Sequence, residues 1–304
     1  MTNTARTIIY VPGMKPKPPA ADHRETLWRC LLEGVRRLEP ELVPALSRHG
    51  DLFRLVSWAS LFYETTGELK LDLPGIDRLL KLPGPEEADR REALHWHKRL
   101  GRFVYLFSDA FPFLIDHVAN PSLKATLQDT MRYFKNVESV ATRIRSLLAD
   151  ELAEAWRAGR RILLIAHSLG SVIAYDTLWE LSWRLNSNVK VDTFMTLGSP
   201  LGLNFSRHRL LGAHHHGARR YPANIRRWWN LAAVGEMTAL DRTFADDYKE
   251  MLKLGLVEEI TDDNSLFTYF RGPDGLNVHK CYGYMVNERV AGAVARWWRE
   301  DTAN

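Results

Sequence analysis

The chain has 304 residues, 45% hydrophobic and 26% charged, with 19 Gly, 14 Pro and 2 Cys. This composition excludes a disordered, collagen-like or disulfide-stapled protein. Lys plus Arg number 41 against 37 Asp plus Glu, a net charge of +4. The Arg residues are scattered in pairs such as Arg36-Arg37, Arg160-Arg161, Arg219-Arg220 and Arg226-Arg227, which argues against a nucleic-acid partner and leaves peripheral contact with an anionic lipid surface open.

The first apolar run, Thr7 to Val11, meets a proline at Pro12. It reads as a strand and is too short for a signal-peptide core. Asp22 to Leu38 carries Leu27, Leu31, Val35 and Leu38 at helical spacing. Leu52 to Trp58 reads as a second strand. The following residues, 59–136, are too many for a simple crossover. They contain LPG turns and an aromatic block from Phe103 to Ile115, and the expectation is a mostly helical cap inserted into a single 1–304 domain.

Val137 to Arg157 shows helical spacing and stops at Gly159. Strands are then expected at Arg161 to Ala166, Asp192 to Leu197, Arg226 to Leu231 and Leu266 to Phe270, and a closing helix at Val286 to Trp298. Several of the strand runs lack alternation, as strands buried on both faces of a parallel sheet do. Strands alternating with helices predict an α/β fold, a mostly parallel central sheet with helices on both faces. No stretch approaches the ~20 apolar residues of a membrane span, and the expectation is a cytoplasmic protein. Cys30 and Cys281 lack C-x-x-C spacing, so free thiols are expected.

The segment Ile165-Ala-His-Ser168-Leu-Gly170-Ser171 carries the chemistry. An apolar strand ends at Ala166, a serine follows two residues later, and small residues open a helix. That is the context of a nucleophile elbow, in which a strained turn exposes the serine hydroxyl. Ala166 and Gly170 are the small residues that crowding of the two backbones demands.

On these residues the chain resembles the α/β-hydrolase superfamily, specifically serine esterases and lipases, which order nucleophile, acid and histidine along the chain. The segment Asn277-Val-His279-Lys-Cys-Tyr-Gly-Tyr is similar to the family's closing loop, and implies His279 as general base. Trp228-Trp-Asn-Leu-Ala-Ala-Val-Gly-Glu236 resembles the strand and loop that carry the triad carboxylate. The match falls on Glu236, although aspartate is commoner there, and Asp241 is a competitor five residues on. The resemblance further implies an oxyanion hole built from the N–H of Leu169 and that of Met14, in the loop Tyr10-Val-Pro-Gly-Met14. Gly198-Ser199-Pro200 resembles a lipase-like turn beside the site, with Ser199 structural.

The expected activity is hydrolysis of carboxylic esters, as a carboxylesterase or lipase, with a small-molecule ester or lipid as partner and no cofactor. An acyltransferase, a thioesterase or amidase using the same triad, and a non-catalytic lipid-binding member of the fold stay open. His95-Trp-His97 and His214-His215-His216 do not read as metal sites, because neither has carboxylate or cysteine companions at ligand spacing, and three consecutive histidines cannot all face one ion from a regular element.

Overall fold

The computed structural model describes residues 5–48, 50–95, 121–236 and 244–300. Its centre is a six-stranded, all-parallel sheet built from β1 (Arg6–Val11), β2 (Phe53–Leu55), β3 (Arg161–His167), β4 (Val191–Leu197), β5 (Ile225–Ala233) and β6 (Glu259–Leu266). Across the sheet the order is β2-β1-β3-β4-β5-β6. β3 and β4 are buried along their whole length, as inner strands of a doubly covered sheet must be.

Alternation along each strand sorts its side chains between two cores. Ile8 and Tyr10 of β1, Leu163 and Ile165 of β3, and Met195 and Leu197 of β4 pack with helices α1 (Ala20–Leu38) and, at the C-terminal end, Glu288–Arg299. Ile9, Val11, Ile162, Leu164, Ala166 and Phe194 face the opposite way, toward the helices Val140–Arg157 and Leu169–Trp183. The helix Leu169–Trp183 is buried nearly all round, so it shows no apolar stripe.

Two expected strands differ. β2 is limited to Phe53–Leu55, because Trp58 turns away to donate its indole N–H to the Pro12 carbonyl at 2.8 Å. The last strand is Glu259–Leu266 rather than Leu266–Phe270. It lies at the sheet edge and is only half covered, so polar side chains serve there. Beyond Leu266, residues Phe267 to Phe270 form a largely buried connection, in which Thr268 donates to the Val278 carbonyl at 2.7 Å.

The described parts of 59–136 are largely helical, with Ala59–Phe62, α2 (Leu73–Lys81), a helix over residues 87–95, and α3 (Pro121–Phe134). With these, Val140–Arg157 is α4, Leu169–Trp183 is α5, Cys281–Met285 is α6 and Glu288–Arg299 is α7. The expected aromatic block, Phe103 to Ile115, lies outside the described residues. Among the described residues no helix is long and apolar enough to cross a membrane, and both cysteines are free and buried.

Candidate active site

The carboxyl ends of β1, β3, β4 and β5 deliver four loops to one edge of the sheet, where open parallel sheets place their sites. From β3 the chain passes through Ser168 at φ 54° and ψ −131° and enters α5 at Leu169. A positive φ is a strained state for a serine, worth about 1–3 kcal/mol. It is held at both of its backbone polar groups. The Ser168 amide donates to the Leu197 carbonyl at 3.0 Å, and its carbonyl accepts from Ser171 Oγ at 2.6 Å. Ser171 in turn contacts Ser199 Oγ at 2.7 Å, and Ser199 caps the next turn by accepting from the Leu201 amide. Ser199 is thus tied into the scaffold of the elbow.

Of the small residues read from the sequence, Gly170 is required by packing, and Gly13 is held to the same limit. A Cβ on Gly170 would stand 2.5 Å from the Val11 carbonyl oxygen, and one on Gly13 would stand 2.8 Å from Ser168 Cβ. The loop after β1 therefore runs directly against the serine. Met14, on that loop, and Leu169, the first residue of α5, each carry a backbone N–H without a protein acceptor among the described residues. The Leu169 amide also sits at the positive end of the α5 dipole.

His279 completes the cluster. Its Nε2 is 2.9 Å from Ser168 Oγ, and its Nδ1 is 2.8 and 2.7 Å from the two carboxylate oxygens of Glu236. A carboxylate only accepts, so Nδ1 carries the proton that it donates to Glu236, and Nε2 is left to accept from the serine hydroxyl. The His279 side chain is 42% exposed and that of Glu236 2%. The imidazole is open to solvent while the carboxylate is sealed. Sequence-predicted Ser168, Glu236 and His279 therefore come together in one hydrogen-bonded chain. Asp241, the competing acid, lies outside the described residues.

Glu236 reaches this position because β5 shifts register between Leu231 and Ala233 and the chain then turns at Gly235, φ +89°. Two buried side chains that the sequence reading did not single out fix the geometry. Tyr284 on α6 accepts from the Ala233 amide at 2.8 Å and donates to Glu236 Oε1 at 2.7 Å. Burial, followed by the neighbouring Glu236 carboxylate, pushes its pKa well above the usual tyrosine value, so it stays a donor. His167 donates from Nε2 to the His279 carbonyl at 2.9 Å. Burial, with the His279 ring 4.7 Å away, holds its pKa well below the ordinary histidine value, so it is neutral. The signal for both lay in plain view, a histidine before the serine and a tyrosine five residues after His279, but their partners are more than forty residues away in sequence.

Among the described residues no group of three or more His, Cys, Asp or Glu side chains is placed to hold a metal ion. His95 Nδ1 is 2.8 Å from the Arg91 carbonyl within its own helix, and His215 stacks on Trp179; His97 lies outside the described residues. Set against family models, curated proteins and solved structures, the chain matches none. What it shows is an α/β protein with an all-parallel six-stranded sheet and a Ser-His-Glu cluster at its carboxyl edge.

Proposed function

We propose that the protein is a serine hydrolase of the α/β-hydrolase type that cleaves carboxylic esters, as a carboxylesterase or lipase. The observation that carries this reading is the unbroken chain from Ser168 Oγ through His279 to the sealed Glu236 carboxylate, at 2.9 and 2.7 Å. In this scheme Ser168 attacks the ester carbonyl while His279 Nε2 takes its proton. Glu236 holds the imidazole in the correct tautomer and stabilises its charged form. The Leu169 and Met14 amides receive the developing oxyanion. His279 returns the proton to the leaving alcohol, and then activates a water that releases the acyl group. The scheme calls for no cofactor. The helical segments of 59–136 act as a cap, and the site opens to a small-molecule ester or lipid rather than to nucleic acid.

The test is hydrolysis of p-nitrophenyl esters from acetyl to palmitoyl by wild type, Ser168→Ala and Glu236→Gln. Wild type is expected to turn over, and loss of the serine to reduce the rate by three orders of magnitude or more, leaving about the residual supplied by the oxyanion hole. A serine-directed phosphonate should label wild type and not Ser168→Ala. Absence of both turnover and adduct in wild type overturns the proposal.

A further inference from the structure

The peptide between Met14 and Lys15 is held at both of its polar ends by side chains. Lys17 directs its ammonium onto the Met14 carbonyl, closing a short loop of its own. On the other side the Lys15 amide donates to Tyr63 Oη at 2.9 Å, and Tyr63 donates onward to Asp129 Oδ2 at 2.9 Å. Lys15 adopts φ +76°, a state that a lysine leaves unless its surroundings determine it. Tyr63 and Asp129 belong to the segment between β2 and α4, not to the sheet. The same segment grips the loop again through Trp58 on the Pro12 carbonyl, through Gly67 donating to the Lys17 carbonyl at 2.8 Å, and through Thr130 Oγ1 at 3.5 Å from Met14 Sδ.

We infer that Tyr63, backed by Asp129, and Lys17 are positioning residues that set the direction of the Met14 amide as an oxyanion donor. This inference rests on the serine-hydrolase reading. With this peptide held at the C=O of residue 14 and the N–H of residue 15, and the Pro12 carbonyl held by Trp58 on the other side, little rotational freedom is left to the Met14 amide between them. Stabilisation by such a donor depends on its being in place before charge develops. Neither Tyr63 nor Lys17 touches the reacting atoms. Their loss would therefore act on the rate of the chemical step and leave ground-state binding intact.

The Lys17 charge gives the clamp a signature. Burial of the ammonium pushes its pKa down to about 8; Lys280 and Lys15 push the same way, while Cys281 and Asp72 oppose them. Of the two histidines beside it, burial lowers the pKa of His23 on α1 to about 3 and holds that of His167 well below the ordinary histidine value, so neither adds charge in the working range. Below pH 8 the bond to the Met14 carbonyl is charge-assisted; above it a neutral amine remains, a donor roughly half as strong.

The experiment compares wild type, Tyr63→Phe, Lys17→Met and Lys17→Arg for kcat and KM on a p-nitrophenyl ester from pH 6 to 10, with the rate of phosphonate labelling in parallel. Tyr63→Phe and Lys17→Met are expected to lose about ten-fold in kcat and in labelling rate, with KM within about two-fold, a fraction of the full loss of a donor. Lys17→Arg should restore kcat and remove the decline that wild type shows as pH rises past about 8. Equal kcat and labelling in all four proteins overturns the clamp, as does a rise in KM alone, or an alkaline decline that Lys17→Arg retains. The Lys17→Arg profile is decisive even where another variant folds poorly. Wild type that neither turns over nor labels refutes the hydrolase reading instead.

Discussion

Gly198 ends β4 at φ +51°, and a Cβ built there would lie 2.9 Å from Glu236 Oε1, 3.0 Å from Tyr284 Oη and 3.2 Å from His279 Nδ1. One added methyl thus meets the acid, the imidazole and the tyrosine that supports the acid. Gly217 is the control, since its φ is nearly the same, +57°, and open space surrounds it. Gly217→Ala carries backbone strain of about 1–2 kcal/mol, partly offset by the roughly 0.4–1 kcal/mol gained from stiffening the unfolded chain. Its net cost is then ~0–1.5 kcal/mol. Gly198→Ala adds an overpacking cost of ~1–3 kcal/mol, for a total of about 1–4.5 kcal/mol, read as a shift of the urea midpoint at unchanged slope. The relay relieves the contact only by moving Glu236 or His279 by several tenths of an ångström. Misplacement on the order of 1 Å costs about 100-fold in rate, so kcat for ester hydrolysis should fall by roughly 10- to 100-fold in Gly198→Ala and stay within about two-fold in Gly217→Ala. Equal kcat in the two variants would refute the reasoning, because the absent side chain would then be irrelevant to the relay.

Tyr284→Phe leaves the buried Ala233 amide without an acceptor and takes one donor from Glu236; the expected cost is about 2–4 kcal/mol of stability and roughly ten-fold in kcat, checked by chemical denaturation and steady-state kinetics. Asp176, on α5, accepts from Tyr133 Oη at 3.1 Å and from the Leu211 amide at 3.0 Å, and burial raises its pKa to about 7. Between the unfolded value near 3.9 and about 7, the native state holds a proton that the unfolded chain has lost, so stability falls as pH rises through that window, by up to about 1.4 kcal/mol per pH unit. Asp176→Asn, which keeps the Leu211 bond at Oδ1 and turns the other round so that Nδ2 donates to Tyr133 Oη, should remove this component of the pH dependence; identical slopes for the two proteins in urea titrations from pH 4 to 7.5 would contradict it.

The inner strands were legible because burial on both faces leaves mainly apolar residues, as in Ile162 to Ala166 and, Thr196 apart, Phe194 to Leu197. The edge strand Glu259–Leu266 was not, since a half-exposed edge tolerates Thr261, Asp262, Asp263 and Asn264 and so mimics a loop. Conversely, Phe267 to Phe270 look like a strand because burial, not pairing, selects their side chains. Tyr269 belongs to a tertiary knot, accepting from Arg37 at 2.8 Å and donating to the Leu82 carbonyl at 3.0 Å. Ser168, His279 and Glu236 could be found from local patterns, since each sits in a short segment whose neighbours are constrained by the same turn. The supports around them could not. Tyr63 meets Lys15 across 48 positions and Tyr284 meets Glu236 across 48, and nothing in either segment announces its partner.

Glutamate at position 236, where the resemblance favours aspartate, is explained by the same supports. Its extra methylene adds about 1.5 Å of reach, which would drive a carboxylate past the imidazole if the loop followed an ordinary path. Here the chain turns back at Gly235, where the Glu236 amide donates to the Ala233 carbonyl at 3.1 Å, and the side chain extends under His279 until both carboxylate oxygens lie within 2.8 Å of Nδ1. That path crosses the space a Cβ at position 198 would fill, and its far end is stopped by the Tyr284 hydroxyl. The longer acid, the glycine at the end of β4 and the tyrosine on α6 are therefore one solution to a single geometric problem. A fixed imidazole must be met by a buried carboxylate whose orientation leaves His279 Nε2, and only that atom, facing the serine.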